Sequence, residues 1–154
     1  MTAEPPPHRA YAGLVSRLAA LVIDIAVTCL AVAAVRLLPP LAWDQIFQRP
    51  APTWLTASCA TLAALLPWAY FTASWWLATQ TVGDLLIGIR VLRTDGGKLS
   101  LPHAAIRAAV GLLLAPLWMI GLLLVLFDTR RRAAHDQLLR TVVRYAPKAH
   151  PTPP

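Results

Sequence analysis

Residues 14–38 read LVSRLAALVIDIAVTCLAVAAVRLL, and this stretch decides the class of protein. A helix of about 20 apolar residues crosses the hydrocarbon core of a bilayer, and this run is long enough to do so. Asp24 would lie about 15 Å from the start of the helix, near the middle of the membrane. A charge there costs about 2.5–3.5 kcal/mol on insertion scales, so we expect Asp24 to face protein or water. Arg17 lies two helical turns earlier on the same face.

The composition of the whole chain agrees with a membrane protein. Of its 154 residues, 57% are hydrophobic and 14% are charged, and the mean hydropathy is +0.56. Soluble domains are about 45–50% apolar. We therefore predict a small, multi-pass integral protein of the cell membrane, with the lipid bilayer as its main partner. The net charge of +7 favours cytoplasmic loops and anionic headgroups. Nucleic acid is not an expected partner, because no basic patch interleaved with aromatic residues is present.

Three apolar segments organise the chain, at about 14–38, 54–78 and 104–127. They predict an all-α membrane domain over residues 14–145. Residues 1–13 and the proline-rich tail 146–154 are expected to be disordered. Pro39 and Pro40 are expected to end the first helix, and Pro67 to kink the second.

A different pattern follows the second apolar segment. Residues 81–101 read TVGDLLIGIRVLRTDGGKLSL, in which apolar residues such as Ile89 and Val91 alternate with Gly88 and Arg90. Alternation before an Asp-Gly-Gly turn is typical of a β-hairpin. The segment is therefore predicted to form a small cytoplasmic β-hairpin, with an amphipathic interfacial loop as the alternative.

The third apolar segment contains Pro116 and Gly121, so it is expected to be either kinked or re-entrant. If it crosses the membrane, the basic residues divide almost evenly between the two sides. If it returns, all basic regions except Arg36 and Arg49 gather on one side, as the positive-inside rule favours. A turn inside the membrane is costly, which favours the single kinked crossing. The number of crossings therefore stays open at the level of sequence.

Four features in order resemble the RDD family of bacterial membrane proteins, which is named for an arginine and two aspartates. They are SRLAALVIDIAV at 16–27, the block that begins at TVGDLL, the third apolar segment, and RRRAAHDQLLRTVV at 130–143. The resemblance matches the arginine to Arg17, the first aspartate to Asp24 and the second to Asp136, with Asp84 as another candidate. In place of the glycine-threonine pair that usually precedes the final valines, this chain has Arg140 and Thr141. The resemblance implies transport of a ligand or ion.

Arg17, Asp24, Arg107 and Asp136 are the candidate charge network. We expect Arg107 to pair with Asp24, and Asp136 or Asp84 to pair with Arg17. In one interpretation these pairs only hold helices together. In the other, Asp24 binds a proton or cation and the protein transports an ion or small solute, with homo-oligomers enclosing the path.

A non-transporting adaptor or assembly factor is the alternative function. Its cytoplasmic face would dock a protein partner through arginines that also contact lipid headgroups: Arg130, Arg131 and Arg132. No nucleophile elbow and no cysteine or metal cluster stands near a histidine, so enzyme activity, a metal and a cofactor are not expected.

Overall fold

The computed structural model describes residues 11–113 and 141–145 of the chain. These residues are mostly helical, with a small two-stranded antiparallel sheet. The elements in chain order are α1 (Leu14–Phe47), α2 (Thr53–Leu77), α3 (Val82–Ile87), β1 (Ile89–Arg93), α4 (Leu101–Leu113) and β2 (Thr141–Tyr145).

Helices α1 and α2 are each long and apolar enough to cross a membrane. In each, only 17% of the most apolar window is buried within the protein. The core helix of a soluble protein would be mostly covered, whereas Leu30 and Leu62 here are 75% and 60% exposed. Apolar surface of this extent is typical of helices that contact a membrane or another protein. The two apolar segments are thus confirmed as helices, and α2 agrees with the predicted range 54–78 to within one residue.

The predicted end of the first helix at Pro39 is wrong. Helix α1 continues through Pro39 and Pro40 to Phe47, and the loop expected at 39–53 shrinks to residues 48–52. Aromatic packing anchors the extension. Trp43 stacks on Phe47 with ring centroids 4.3 Å apart, and its ring meets that of Trp54 of α2 at 6.0 Å. The helix ends at Gln48, which adopts a left-handed conformation and donates its N–H to the carbonyl of Asp44.

The predicted hairpin at 81–101 is also wrong, although its strand is real. Residues Val82–Ile87 form α3, and β1 pairs antiparallel with β2, so that Val91 lies opposite Val143. The turn does form, because Arg93 donates its N–H to the carbonyl of Gly97, but no strand follows it. Buried Ile89 and Val91 find their apolar partners on β2, and this burial outweighs the local turn.

Helix α4 begins at Leu101, three residues before the expected start of the third apolar segment. Residues 114–127, including Pro116 and Gly121, lie outside the described residues, so a crossing or a re-entrant turn stays a prediction. The same holds for residues 1–10 and 146–154. Tyr11 pairs with Arg144 in an isolated bridge, and Ala12 donates its N–H to the carbonyl of Val143.

The buried core lies where α1, α2 and α4 meet the sheet. Small side chains such as Ala20, Ala104 and Ala108 let the helices approach closely, and Trp75 and Ile89 fill the space between them. The core therefore sits at one end of the membrane helices, next to the sheet. Arg17 and Asp24 of α1 and Arg107 of α4 are buried in this region.

Candidate functional site

Asp24 is the centre of a buried hydrogen-bond network. Its residue is 3% exposed, and its carboxylate accepts three hydrogen bonds from neutral donors. The Tyr70 hydroxyl of α2 donates to Oδ1 at 2.7 Å, and the Thr81 hydroxyl donates to Oδ2 at 2.6 Å. The backbone N–H of Gly83 also donates to Oδ1, at 2.8 Å. Three donors satisfy a buried carboxylate and connect α1 to α2 and to the start of α3.

Local chemistry puts these donors in place. Thr81 caps α3: its hydroxyl accepts from the N–H of Asp84, whose carboxylate accepts from the N–H of Thr81 in return. This capping box fixes the first turn of α3. Gly83 lies so close to α1 that a Cβ built on it would stand 2.1 Å from the carbonyl oxygen of Ala20. Only glycine lets the Gly83 N–H approach Asp24 this closely.

Asp84 is the second buried carboxylate of the site. Its residue is 7% exposed, and its Oδ2 accepts from the N–H of Thr81 at 3.1 Å and from Nε1 of Trp75 at 3.4 Å. Burial raises the pKa of the Asp84 carboxyl above its ordinary value of 3.8, and the charge of Asp24 acts in the same direction. The hydrogen bonds from Thr81 and Trp75 oppose this rise.

Arg107 of α4 lies on the other side of Trp75. The residue is 2% exposed, and its guanidinium stands 4.9 Å from the centroid of the Trp75 ring, in cation–π geometry. One of its nitrogens donates to the hydroxyl of Thr141 at the start of β2. Arg107 therefore joins α4 to α2 and to the sheet, and the Trp75 side chain contacts both Arg107 and Asp84.

Arg17 and the three residues just described line one cavity of about 350 Å³. The Nε of Arg17 donates to the carbonyl of Ala12 at 3.3 Å. The remaining lining is almost entirely apolar or aromatic, and includes Ile25, Phe71, Ala108, Leu112 and Val143. The cavity thus combines four charged side chains with apolar walls.

The structure brings Arg17, Asp24 and Arg107 to one cavity, as a shared network requires. The expected pair of Arg107 with Asp24 does not form, and the expected pairing of Arg17 with Asp136 lies outside the described residues. Asp24 accepts from Tyr70, Thr81 and Gly83, whereas Arg107 contacts Trp75 and Thr141. Asp136 and the arginines at 130–132 lie outside the described residues, so their proposed roles stay predictions.

Tyr70, Thr81 and Gly83 were not found from the sequence. The signal for the last two is Thr81-x-x-Asp84, a capping-box spacing that announces a helix start. Tyr70 gives no such signal, because an aromatic residue within an apolar helix is ordinary. Among the described residues, no group of three or more histidine, cysteine, aspartate or glutamate side chains could hold a metal ion.

Comparison with known proteins adds one finding to this geometry. A family model described as the RDD family matches residues 11–140, most of the chain. The match includes Arg17, Asp24, Asp84 and Arg107. No curated protein and no solved structure matches the chain.

Proposed function

The chain belongs to the RDD family of membrane proteins, and from this premise we propose that it moves an ion or small solute across the cell membrane. In this proposal the solute passes through the cavity that Asp24 borders. The site residues are Arg17, Asp24, Asp84 and Arg107.

A multi-pass topology is supported by the arrangement of α1 and α2. The short connection 48–52 lets the two helices run antiparallel, and Trp43 and Trp54 meet at that end. Tryptophan is enriched at membrane interfaces. The other end has the sheet, whose basic side chains include Arg90, Arg93 and Arg144. By the positive-inside rule, the sheet is the cytoplasmic end.

The single observation that carries the proposal is the cavity itself. Among the described residues, the four charged side chains border a half-open space large enough for a solute, which helix packing alone does not require. A cavity of about 350 Å³ is more than twice the engineered void of about 150 Å³ that binds benzene. It falls within the range of small-molecule sites, about 300–1,000 Å³. Four charged side chains around such a space indicate binding of a polar or ionic solute.

Asp24 would act in transport by holding the cavity wall. Two of its three hydrogen bonds, from Thr81 and Gly83, fix the start of α3, and Asp84 lies in that same first turn. Loosening of these bonds would move Asp84 relative to α1 and change access to the cavity. Asp24 is then a positioning residue, and its removal should impair flux.

The test is flux in vesicles that contain the purified full chain. Proton flux is followed with an internal pH dye, Na⁺ and K⁺ flux under imposed gradients, and small-solute flux with radiolabelled methylammonium. We expect flux of at least one of these above that of protein-free vesicles. Asp24→Asn should abolish it, because the amide presents N–H groups to a site built from donors.

Asp95→Asn is the matched control. Asp95 is an exposed carboxylate that pairs with Arg93 at 3.0 Å, and it does not line the cavity. Its variant should retain full flux. Flux that is absent for all four solutes, or equal losses in both variants at equal insertion, would refute the proposal.

A further inference from the structure

One oxygen in the cavity has no hydrogen-bond partner. Both hydrogen bonds to the Asp84 carboxylate go to Oδ2, and among the described residues none reaches Oδ1. Asp84 is more than nine-tenths buried and lines the cavity. Oδ1 is not sealed within the protein, so a ligand in the cavity can reach it.

The other charged groups of the cavity already have protein partners. Asp24 has three donors, Arg17 donates to Ala12, and Arg107 donates to Thr141. Oδ1 of Asp84 is therefore the charged acceptor in the cavity that is available to a ligand. An ionised carboxylate accepts hydrogen bonds and does not donate them, so it selects a donor, and best a cationic one.

The walls next to Asp84 define the rest of the ligand. Phe71 and Trp75 lie 5.3 Å apart between ring centroids, and both line the cavity. Ile25, Leu112 and Val143 continue an apolar surface away from the carboxylate. Aromatic rings beside a carboxylate suit an ammonium group, and an aliphatic wall suits an apolar body.

We propose that the cavity binds a small organic solute with a protonated amine and an apolar body, whose ammonium group donates to Oδ1 of Asp84. This inference rests on the proposed function of the cavity and names the class of solute. The ammonium binds the ionised carboxylate, so the two charges compensate each other in the cavity.

Charged groups on several elements face Asp84. Asp24 from α1 adds negative charge, Arg17 from α1 and Arg107 from α4 add positive charge, and Tyr70 from α2 binds Asp24. Burial and the charge of Asp24 raise the pKa of Asp84, because its ionised form is less well stabilised in the protein than in water. A cation at Oδ1 supplies that stabilisation.

The test uses the full chain in lipid nanodiscs, with n-hexylammonium as the probe. Hexanol has the same body without the charge, and hexanoate has the opposite charge. Binding is measured by calorimetry after subtraction of protein-free nanodiscs. We expect hexylammonium to bind at least about tenfold more tightly than either control, as one charge-assisted hydrogen bond predicts.

Asp84→Asn should weaken hexylammonium binding by about tenfold or more, since the amide removes the charge. The amide oxygen can still accept from Thr81 and Trp75, so the fold should persist, which thermal unfolding verifies. Asp95→Asn is the exposed control and should bind as the wild type does. Unchanged binding by folded Asp84→Asn, or equal binding of hexanol, would overturn the inference.

Infrared difference spectra give a second readout that does not depend on the variant folding. Hexylammonium should shift the carboxylate stretching bands in the wild type, and a spectrum without a change in those bands would count against the inference. The two proposals fail separately. Amine binding without flux would refute only the proposed transport. Asp24-dependent flux without amine binding would refute only the proposed class of solute.

Discussion

The carboxylate of Asp24 accepts a hydrogen bond at 2.8 Å from the backbone N–H of Gly83, a residue 59 positions further along the chain. This contact places the start of α3 against the part of α1 that contains Ala20 and Asp24. It depends on the absence of a side chain at Gly83, since a Cβ would overlap the backbone of Ala20. The position of Asp84 in the cavity wall follows from it, because Asp84 is the next residue.

Gly83→Ala should therefore destabilise the protein and disturb the cavity. The added methyl group would lie 2.1 Å from the Ala20 carbonyl oxygen and 2.9 Å from Cγ of Asp24, so α3 must move away from α1. We expect a loss of about 1–3 kcal/mol in the free energy of unfolding, as is typical of overpacked sites. Thermal unfolding in mild detergent measures it.

Gly97→Ala is the control for this prediction. A Cβ there would meet only the end of the Asp95 side chain, at 3.1 Å, and that exposed side chain can rotate away. The melting temperature should change little. If the melting temperature of Gly83→Ala equals that of Gly97→Ala, then the absence of a side chain at Gly83 is not needed to hold α3 against α1.

Thr81 should be needed for its hydroxyl rather than for its shape. The hydroxyl donates to Asp24 and accepts from the N–H of Asp84. Thr81→Val keeps the shape and loses both bonds, and should cost about 2–3 kcal/mol. Thr81→Ser keeps the hydroxyl and should retain most of the stability.

SDS-induced unfolding of the two Thr81 variants separates these effects. Exposed Thr56 of α2, whose hydroxyl bonds only to the nearby carbonyl of Thr53, supplies the control Thr56→Val. This control should unfold close to the wild type. Equal stability of Thr81→Val and Thr81→Ser would show that the hydroxyl contributes nothing.

The sequence predicts the membrane helices because apolar runs of that length have few other uses. It also predicts that Arg17, Asp24 and Arg107 belong to one charge network, since a charge at membrane depth is costly unless it is compensated. The three residues line one cavity, and what the network does stays a prediction. The sequence does not predict what compensates Asp24. A backbone N–H carries no sequence signal, and the Gly83 contact spans too many residues for any local pattern to reveal it.

The end of α1 and the partner of β1 were missed for related reasons. A proline pair is a strong local stop, yet Trp43, Phe47 and Trp54 pack together beyond it and continue the helix. Asp24 consequently lies ten residues from one end of α1 and 23 from the other, not at its middle. The Asp-Gly-Gly turn is present, but β1 pairs with β2 because this pairing buries Val91, which a local hairpin strand would not do as well.

Asp84 should make the protein less stable as the pH rises. Its pKa is raised in the folded protein, so the native state holds its proton more tightly than the unfolded chain does. Between the ordinary value of 3.8 and the raised value, the native state binds more protons. Stability contributed by this group is therefore full below that window and falls as the pH rises through it.

Melting temperatures recorded between about pH 4 and pH 8 test this dependence. The wild type should show a decline with pH that Asp84→Asn lacks, because the amide does not titrate. Asp95→Asn should follow the wild-type profile, since Asp95 is exposed. Parallel profiles for the wild type and Asp84→Asn would mean that Asp84 has no raised pKa.

The pairing of β1 with β2 can be tested by a disulfide between Arg90 and Arg144, which lie opposite each other in the sheet. Paired strand residues have Cα atoms about 4.5–5.5 Å apart, within the range that a disulfide spans. With Cys29 and Cys59 first replaced by alanine, Arg90→Cys with Arg144→Cys should cross-link on mild oxidation. The closed loop should increase mobility on a non-reducing gel, and a reductant should reverse the shift.

Arg90→Cys with Ser100→Cys is the matched control, because a local hairpin closed at Arg93 and Gly97 would place Ser100 opposite Arg90. In the observed sheet Ser100 instead precedes α4 and is not part of a strand. This pair should remain reduced under the same conditions. A cross-link in the control and not in the first pair would show that β1 does not pair with β2. The contact between Thr141 of β2 and Arg107 of α4 would then be doubtful as well. The position of Val143 in the cavity wall would be doubtful for the same reason, since Val143 also belongs to β2.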